Sequence, residues 1–525
     1  MHRRTLLAAA AGLAAAPLGR PAIAQSAVRT LKFVPSVALT SVDPLWSLAT
    51  ISYCHGYMVW DTLFSLDHNL APHPQAAAGA EMSSDELTWT ITLRDGLIFH
   101  DNVPVLSRDA VASVKRWMQK DPIGQTIAAI LNEVKAVDDK RFQIVLKQPF
   151  RTMLFSLGSR NIFLQPERIA STPASEQFKE VIGSGPYRFI ASEFQAGAIA
   201  HYARWEKYTP RNEPPDMWSG GHVANFERVE WTAQPDPSIA AGALQRGEVD
   251  WLEQPLLDLV PMLSKSAGVK IDAVDPFGGL AILRFNQLLP PFNNPEMRRA
   301  LLPGIDQQAV VEAVVGDQPQ FGILPVGFFT AGGPMANDAG LGVLTGPRSL
   351  DEAKKRIAAA GYKGERIVMV APSDIPQIIA MSQVMQDQLR KMGLNIDFQV
   401  MDWGTMISRI AKKDPIDQGG WNLFCVTWAG LTVSNPGSSY PLRANGLNAT
   451  GGWPTDEKLE ALRLKWLDTG NLAEQQAIAR QMQEQAFTSL PFIPLGQWHL
   501  PAAYSEKLTG IIHSPFSLFW NVKRS

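Results

Sequence analysis

The sequence predicts an α/β fold with mixed sheets, divided into more than one domain. Three observations carry this. Helix-period and strand-period patterns alternate along the whole chain, and one complete β-α-β unit can be read between Glu365 and Val400. At 525 residues, 46% of them hydrophobic, the chain also exceeds what a single core holds.

Taken in chain order, the first element is an export signal. Arg3-Arg4 precedes Leu6-Leu7 and an apolar, small-residue run that reaches Leu18, and Ala22-Ile23-Ala24 supplies an A-x-A cleavage site before Gln25. The run is too short to span a bilayer. Residues 1–24 are therefore read as a signal peptide. The arginine pair points to the twin-arginine route for folded proteins, with an ordinary secretory signal as the alternative. The first cysteine is Cys54, far from the cleavage site. The expected location is the periplasm, as a soluble protein without a lipid anchor, and no later stretch reads as a membrane span.

Further along, Asn294 caps a helix with Pro295 at its first position, and Pro303-Gly304 kinks or ends it. Ser349-Leu350-Asp351-Glu352 has capping-box spacing and opens a helix that Gly361 closes. Glu365 to Ala371 reads as a buried strand. Ile378, Met381, Met385, Leu389 and Met392 then recur at helical spacing, and Gly393 supplies the stop. Ile396, Phe398 and Val400 alternate as a strand, so this unit implies a parallel pair with a right-handed crossover.

Composition narrows the function. Lysine and arginine total 48 against 50 acids, and losing residues 1–24 leaves 45 against 50, a net charge of −5. That is no electrostatic footprint for nucleic acid or an anionic membrane. Two cysteines, Cys54 and Cys425, are too few for a disulfide framework, although the pair itself is left open. The chain contains no H-E-x-x-H, P-loop or G-x-S-x-G motif, so an enzyme is the weaker reading and no cofactor is expected. His68 and His73, five apart around Pro72, are poorly spaced for a metal and are read as structural or solvated. Phe99-His100-Asp101 is read as part of a strand-turn signature. Fifteen tryptophans are many; most should be core, and some suit the wall of a ligand cleft.

Several segments resemble one known family when taken in order. Val42-Asp43-Pro44 and Trp60-Asp61-Thr62-Leu63 are similar to its opening turn and first helix end. Leu87-Thr88-Trp89-Thr90, Leu93-Arg94-Asp95-Gly96 and Phe99-His100-Asp101 resemble its LTYTFxLRxGxxFHDG stretch, with Asn102 in place of the last glycine. Gly183-Ser184-Gly185-Pro186-Tyr187 resembles its G-T-G-P-[YF]. Phe285-Asn286, Pro290-Pro291-Phe292 and Met297-Arg298-Arg299-Ala300 resemble its "FN…PPF…VRxA". Each signal is weak alone, but their order over most of the chain is specific. The family is the extracytoplasmic solute-binding proteins of ABC importers, peptide/nickel (dipeptide–oligopeptide) type, family 5.

The resemblance implies a two-lobed periplasmic binding protein with an extra domain and a hinge-bending cleft. Lobe I would be discontinuous, at 27–62, 183–278 and 500–525; the extra domain would fill 63–182 and lobe II 279–499. It also implies a monomer that closes over a small organic solute and is then recognised by an ABC permease at the inner membrane. A metal-chelate or oligosaccharide receptor, and an enzyme or chaperone on the same scaffold, remain alternatives.

The same resemblance nominates site residues. Asp402-Trp403-Gly404 is similar to the family's "EW" segment, and Trp428 to the tryptophan of its "GW-x-x-D" segment. In peptide-binding members an aspartate three residues after that tryptophan meets the ligand's α-ammonium. Here the loop reads Gly430-Leu431-Thr432, and neither Leu431 nor Thr432 carries charge. Three residues before Trp428, where oligopeptide binders can hold an arginine, stands Cys425. A buried ammonium without a counter-ion costs several kcal/mol, so a peptide with a free N-terminus in the usual register is disfavoured. Asp402 is the carboxylate a shifted loop would bring in. Ala49 and Thr50 are expected on an extended segment beside the ligand, and Gln497 and Trp498 near the C-terminal crossover. The expected pocket is aromatic and weakly charged, and favours a peptide-like, capped or otherwise less charged solute. At least one of Trp403, Trp428 and Trp498 is expected to be core instead.

Overall fold

In the computed structural model, residues 29–47, 49–158 and 162–525 are described. The predicted signal peptide at 1–24 lies outside them. Three principal sheets organise these residues, and the two larger ones mix parallel with antiparallel neighbours.

The first sheet has seven strands, in the spatial order Val269–Asp272, Ala502–Ser505, Trp251–Leu252, Thr30–Val34, Arg228–Thr232, Ile199–Arg204 and Tyr187–Phe189. Its core is aromatic: Phe33 meets Trp251 edge-on at 5.4 Å, and Trp218 stacks on Phe516 at 5.1 Å and 15°. Such pairs add to area burial because ring edges and faces carry opposite partial charge. A four-stranded antiparallel sheet follows, Ala77–Met82, Thr88–Leu93, Arg141–Leu146 and Leu131–Ala136, packed against the helix Ser107–Lys120. Strand Thr88–Leu93 alternates half-buried and buried residues, as a sheet covered on one side requires.

The third sheet has six strands: Gly322–Ile323, Phe492–Trp498, Gly279–Phe285, Leu423–Ala429, Ile367–Pro372 and Ile396–Met401. It contains the predicted β-α-β unit. Ile367 pairs in parallel with Ile396 and Met369 with Phe398, and every residue of Ile367–Pro372 is buried. The intervening helix is Pro376–Lys391. It buries Ile378, Met381, Met385 and Leu389 and ends before Gly393, whose φ of +91° only glycine adopts freely. Both predicted caps form: Asn294 accepts from the Glu296 N–H at 2.9 Å and Ser349 from the Glu352 N–H at 3.2 Å. The helix Pro295–Ala300 stops before Pro303-Gly304, as expected.

Two chain crossings join the seven- and six-stranded sheets, one after Asp272 and one after Trp498. They lie against each other, since a Cβ on Gly278 would stand 2.3 Å from the Trp498 carbonyl oxygen. The four-stranded sheet is tied to the first by two contacts. Arg116 donates to both Asp43 oxygens, at 3.2 and 2.7 Å, with both side chains buried. His100 Nε2 donates to the Gly185 carbonyl at 3.0 Å, and the Gly183 carbonyl accepts from the His100 N–H at 2.8 Å. Burial brings the His100 imidazole down to about 4, so it is neutral there. Phe99-His100-Asp101 therefore works as a structural tie, consistent with its sequence reading. Gly183 and Gly185 are required on the other side of that tie: added Cβ atoms would stand 1.9 Å from the Val59 oxygen and 2.7 Å from the Val59 carbonyl carbon.

Cys54 and Cys425 are both free and buried, in the cores of different sheets, so the open question of their pairing is answered in the negative. His68 and His73 each bond a carboxylate, Asp216 at 2.8 Å and Asp67 at 3.0 Å. Among the described residues no helix is long and apolar enough to cross a membrane, and no cluster of three or more His, Cys, Asp or Glu side chains is placed to hold a metal ion.

Candidate functional site

Strand Leu423–Ala429 is central in the six-stranded sheet, antiparallel to Gly279–Phe285 with Trp428 opposite Leu280. Its alternation sends Phe424, Val426 and Trp428 to one face and Cys425 to the other. The helix Trp403–Ile410 covers the first face, capped by Asp402, which accepts from the Thr405 N–H at 2.9 Å and the Thr405 hydroxyl at 2.6 Å. Asp402 is thereby committed to its own helix. Between helix and strand lies a cavity walled by Trp403, Ile407, Phe424, Val426 and Trp428, with Arg284 at the same cavity. Arg284 is buried and donates to the carbonyls of Gly451, Pro441, Pro491 and Thr450 and to the Thr450 hydroxyl. Burial without a carboxylate lowers its guanidinium to about 9. Two of the three tryptophans that the sequence nominated, Trp403 and Trp428, are thus on one cavity.

The turn after Trp428 does two different jobs. Gly430 is structural: its N–H donates to the Gly278 oxygen at 2.6 Å, its carbonyl accepts from Thr330 Oγ1 at 2.5 Å, and a Cβ would meet the Phe277 oxygen at 2.2 Å. Leu431 instead reaches across to the first sheet's aromatic core, within the buried cluster that contains Tyr57, Trp218 and Phe516. It also walls a second cavity with Leu66, Phe155, Trp218, Tyr440 and Arg443. That cavity takes its walls from the first two sheets' segments and from the loop after Trp428, so it lies between the structural units. Thr432 is buried behind this wall, its carbonyl accepting from Ser438 Oγ at 3.0 Å.

The remaining nominated residues stand elsewhere. Gln497 is fully buried, donating to the carbonyls of Phe277 and Ala331 and accepting the Ala331 N–H at 2.8 Å, which occupies its amide at the chain crossing. Trp498 is 1% exposed within the hydrophobic core and walls neither cavity. Ala49 keeps an extended backbone, but Thr50 opens the helix Thr50–Val59, so the expected extended segment ends at Ala49. Cys425 is buried on the sheet face away from both tryptophans, and burial pushes its thiol up to about 12.

Trp218, Tyr440 and Arg443 also wall the second cavity and were not nominated from the sequence. Trp218 and Tyr440 give no local signal, since a tryptophan at a segment end and a tyrosine in a Ser-Pro loop look alike in cores and clefts. Arg443 does give one: it is the only charged residue between Asp417 and Asp456.

A profile of the bacterial extracellular solute-binding proteins, family 5, matches residues 71–449. This chain belongs to that family. A curated relative, the probable peptide ABC transporter periplasmic-binding protein y4tO of Sinorhizobium fredii, is 37% identical over 521 residues, covering 99% of this chain and 98% of the relative. The glutathione-binding protein GsiB of Pectobacterium atrosepticum is 25% identical, covering 99% of this chain and 97% of its own. The family fold is also seen in DppA of Helicobacter pylori, solved with the peptide STSA. It superposes with a TM-score of 0.77 at 20% identity over 96% of this chain and 99% of that one. As a family-5 member the chain is an extracytoplasmic solute-binding component of an ABC transporter, with the mixed α/β, two-lobed architecture of those structures.

Proposed function

We propose that this protein captures a peptide-like, N-blocked or otherwise weakly charged organic solute between two lobes and hands it to an ABC permease in the inner membrane. The single observation that carries this reading is Leu431. An apolar side chain stands three residues after Trp428, on the wall of the cavity between the units, and it packs into the aromatic core on the far side. A free ammonium placed there would have no carboxylate on Leu431 or Thr432 to meet it. The names of the relatives support a peptide-like ligand, and the walls of Trp403, Trp428, Tyr440 and Trp218 suit one.

The lobes we assign are 27–62, 183–278 and 500–525 for the first and 279–499 for the second, with 63–182 as an extra domain. The partition is supported by strand membership in the three sheets and by the paired crossings near Gly278 and Trp498. Closure about those crossings would couple solute capture to permease recognition. The protein acts as a monomeric receptor and performs no covalent chemistry. It is exported by residues 1–24, through the twin-arginine route, and works as a soluble periplasmic protein without a lipid anchor.

Native mass spectrometry of protein released gently from the periplasm tests the reading. The expected result is one stoichiometric small molecule that leaves unchanged on denaturation and lacks a free amine. A chemically altered product, or a solute with a free α-ammonium, would overturn it.

A further inference from the structure

We propose that Arg443 is the anion anchor of the cavity where the second lobe faces the extra domain and Trp218 of the first lobe, and that the solute carries a carboxylate. The inference rests on the receptor reading above and adds the charge that the ligand must bear. Arg443 is half-buried on the wall of that cavity, beside Leu66, Phe155, Trp218 and Tyr440. Its side chain makes no hydrogen bond or ion pair with any described residue, and its Nε is buried without a partner. Every other consideration makes such a guanidinium expensive to leave alone, because desolvation penalises the charge and burial lowers its pKa.

The nearby charges do not relieve it. Glu460 already pairs with Arg463 at 2.9 Å and accepts the Ala444 N–H at 2.7 Å, while Arg463 itself repels Arg443. Two arginines and one glutamate leave a net charge of about +1 in that corner. Asp121 on the cavity wall brings one negative charge to the same space; it accepts from the N–H groups of Ile123 and Gly124 at 2.8 and 3.0 Å as a helix cap and does not bond Arg443. The apolar wall strengthens any ion pair formed with Arg443, and the planar fork of a guanidinium matches a carboxylate bidentately. The Arg284 guanidinium in the neighbouring cavity is no rival, since carbonyls and one hydroxyl occupy its donors.

The test uses the full mature protein and three pools of probes: N-acetyl dipeptides, the same pool as C-terminal amides, and free-amine dipeptides. Hits from a thermal-shift screen are measured by titration calorimetry. The expected result is at least tenfold tighter binding of the acid than of its amide. Arg443→Gln should bring that ratio close to one, and Arg443→Lys should restore part of it. Trp428→Ala should weaken acid and amide alike and keep the ratio. Equal affinity for acid and amide, or a ratio that survives Arg443→Gln, would overturn the anchor. Binding confined to free-amine dipeptides would instead overturn the N-blocked reading, while their own acid-to-amide ratio still decides Arg443. Silence from all three pools would sink the peptide-like reading and this inference with it.

Discussion

Trp428 and Tyr440 stack face to face, with ring centroids 5.9 Å apart and planes inclined by 13°. One ring walls the cavity under the helix Trp403–Ile410 and the other walls the cavity lined by Leu66, Phe155, Trp218 and Leu431, so the stacked pair stands between the two.

Trp428→Ala should therefore weaken solute binding about tenfold or more, the scale of a buried aromatic anchor. Calorimetry with the solute released from the native protein measures it, beside a melting curve that should change little. Undiminished affinity would remove Trp428 from the site.

Leu431→Asp should shift preference toward free amines. The relevant quantity is the affinity of a free-amine dipeptide divided by that of its N-acetyl form, which cancels any general cost to closure from a carboxylate facing an aromatic core. The ratio should rise by about tenfold, the worth of one modest ion pair. No rise would undercut the missing-counter-ion argument.

Breaking the Asp43–Arg116 pair should be costly. Asp43→Ala leaves a buried guanidinium unpaired, a loss of about 3–5 kcal/mol in similar cases, whereas the double variant Asp43→Leu, Arg116→Met should recover most of it. Denaturant titration of both variants reads the difference, and equal destabilisation would show that the cost lies in losing the pair's own bonds and not in an uncompensated buried charge.

Gly183→Ala should lower the melting temperature, because its Cβ would sit 1.9 Å from the Val59 oxygen and backbone must move. A cost of about 1–3 kcal/mol or more is expected for such overpacking. Gly79→Ala is the control: nothing lies within 4 Å of its Cβ, and its melting temperature should stay close to the parent's.

Acid should destabilise the fold through buried imidazoles. Burial lowers His100 and His222 to about 4 and His55 to about 3, against 6.5 for the free group. The folded state holds these rings neutral, so below pH 6.5 the unfolded chain binds more protons and stability falls until about pH 4. Above that window their contribution is fully present. His100→Gln should flatten the decline of melting temperature between the two values, and an unchanged slope would mean that His100 is not among the groups responsible.

Local structure was legible wherever period and punctuation agreed. The run Ile367–Val370, the helical stripe from Ile378 to Met392 and the stop at Gly393 specify one β-α-β unit without outside help. The caps at Asn294 and Ser349 are equally local. Strand neighbours were another matter: nothing within Ala502–Ser505 says that it lies between Trp251–Leu252 and Val269–Asp272. At the candidate site, Trp403 and Trp428 sit in motifs, and the fold places both on one cavity. Gln497 and Trp498 lie buried at the crossover instead, where a glutamine and a tryptophan serve packing as readily as binding. The isolated charge of Arg443 was present in the sequence, but its meaning depends on which side chains fail to reach it.

The order of strands in the seven-stranded sheet has a consequence for how the chain is made. Ala502–Ser505 is an interior strand there, and Val269–Asp272 joins the sheet only through it. A growing chain cannot finish this sheet until Ser505 has left the ribosome, after the six-stranded sheet has gained its last strand at Trp498. Removing residues 502–525 should leave the six-stranded unit folded and the other an open sheet edge, exposed to self-association.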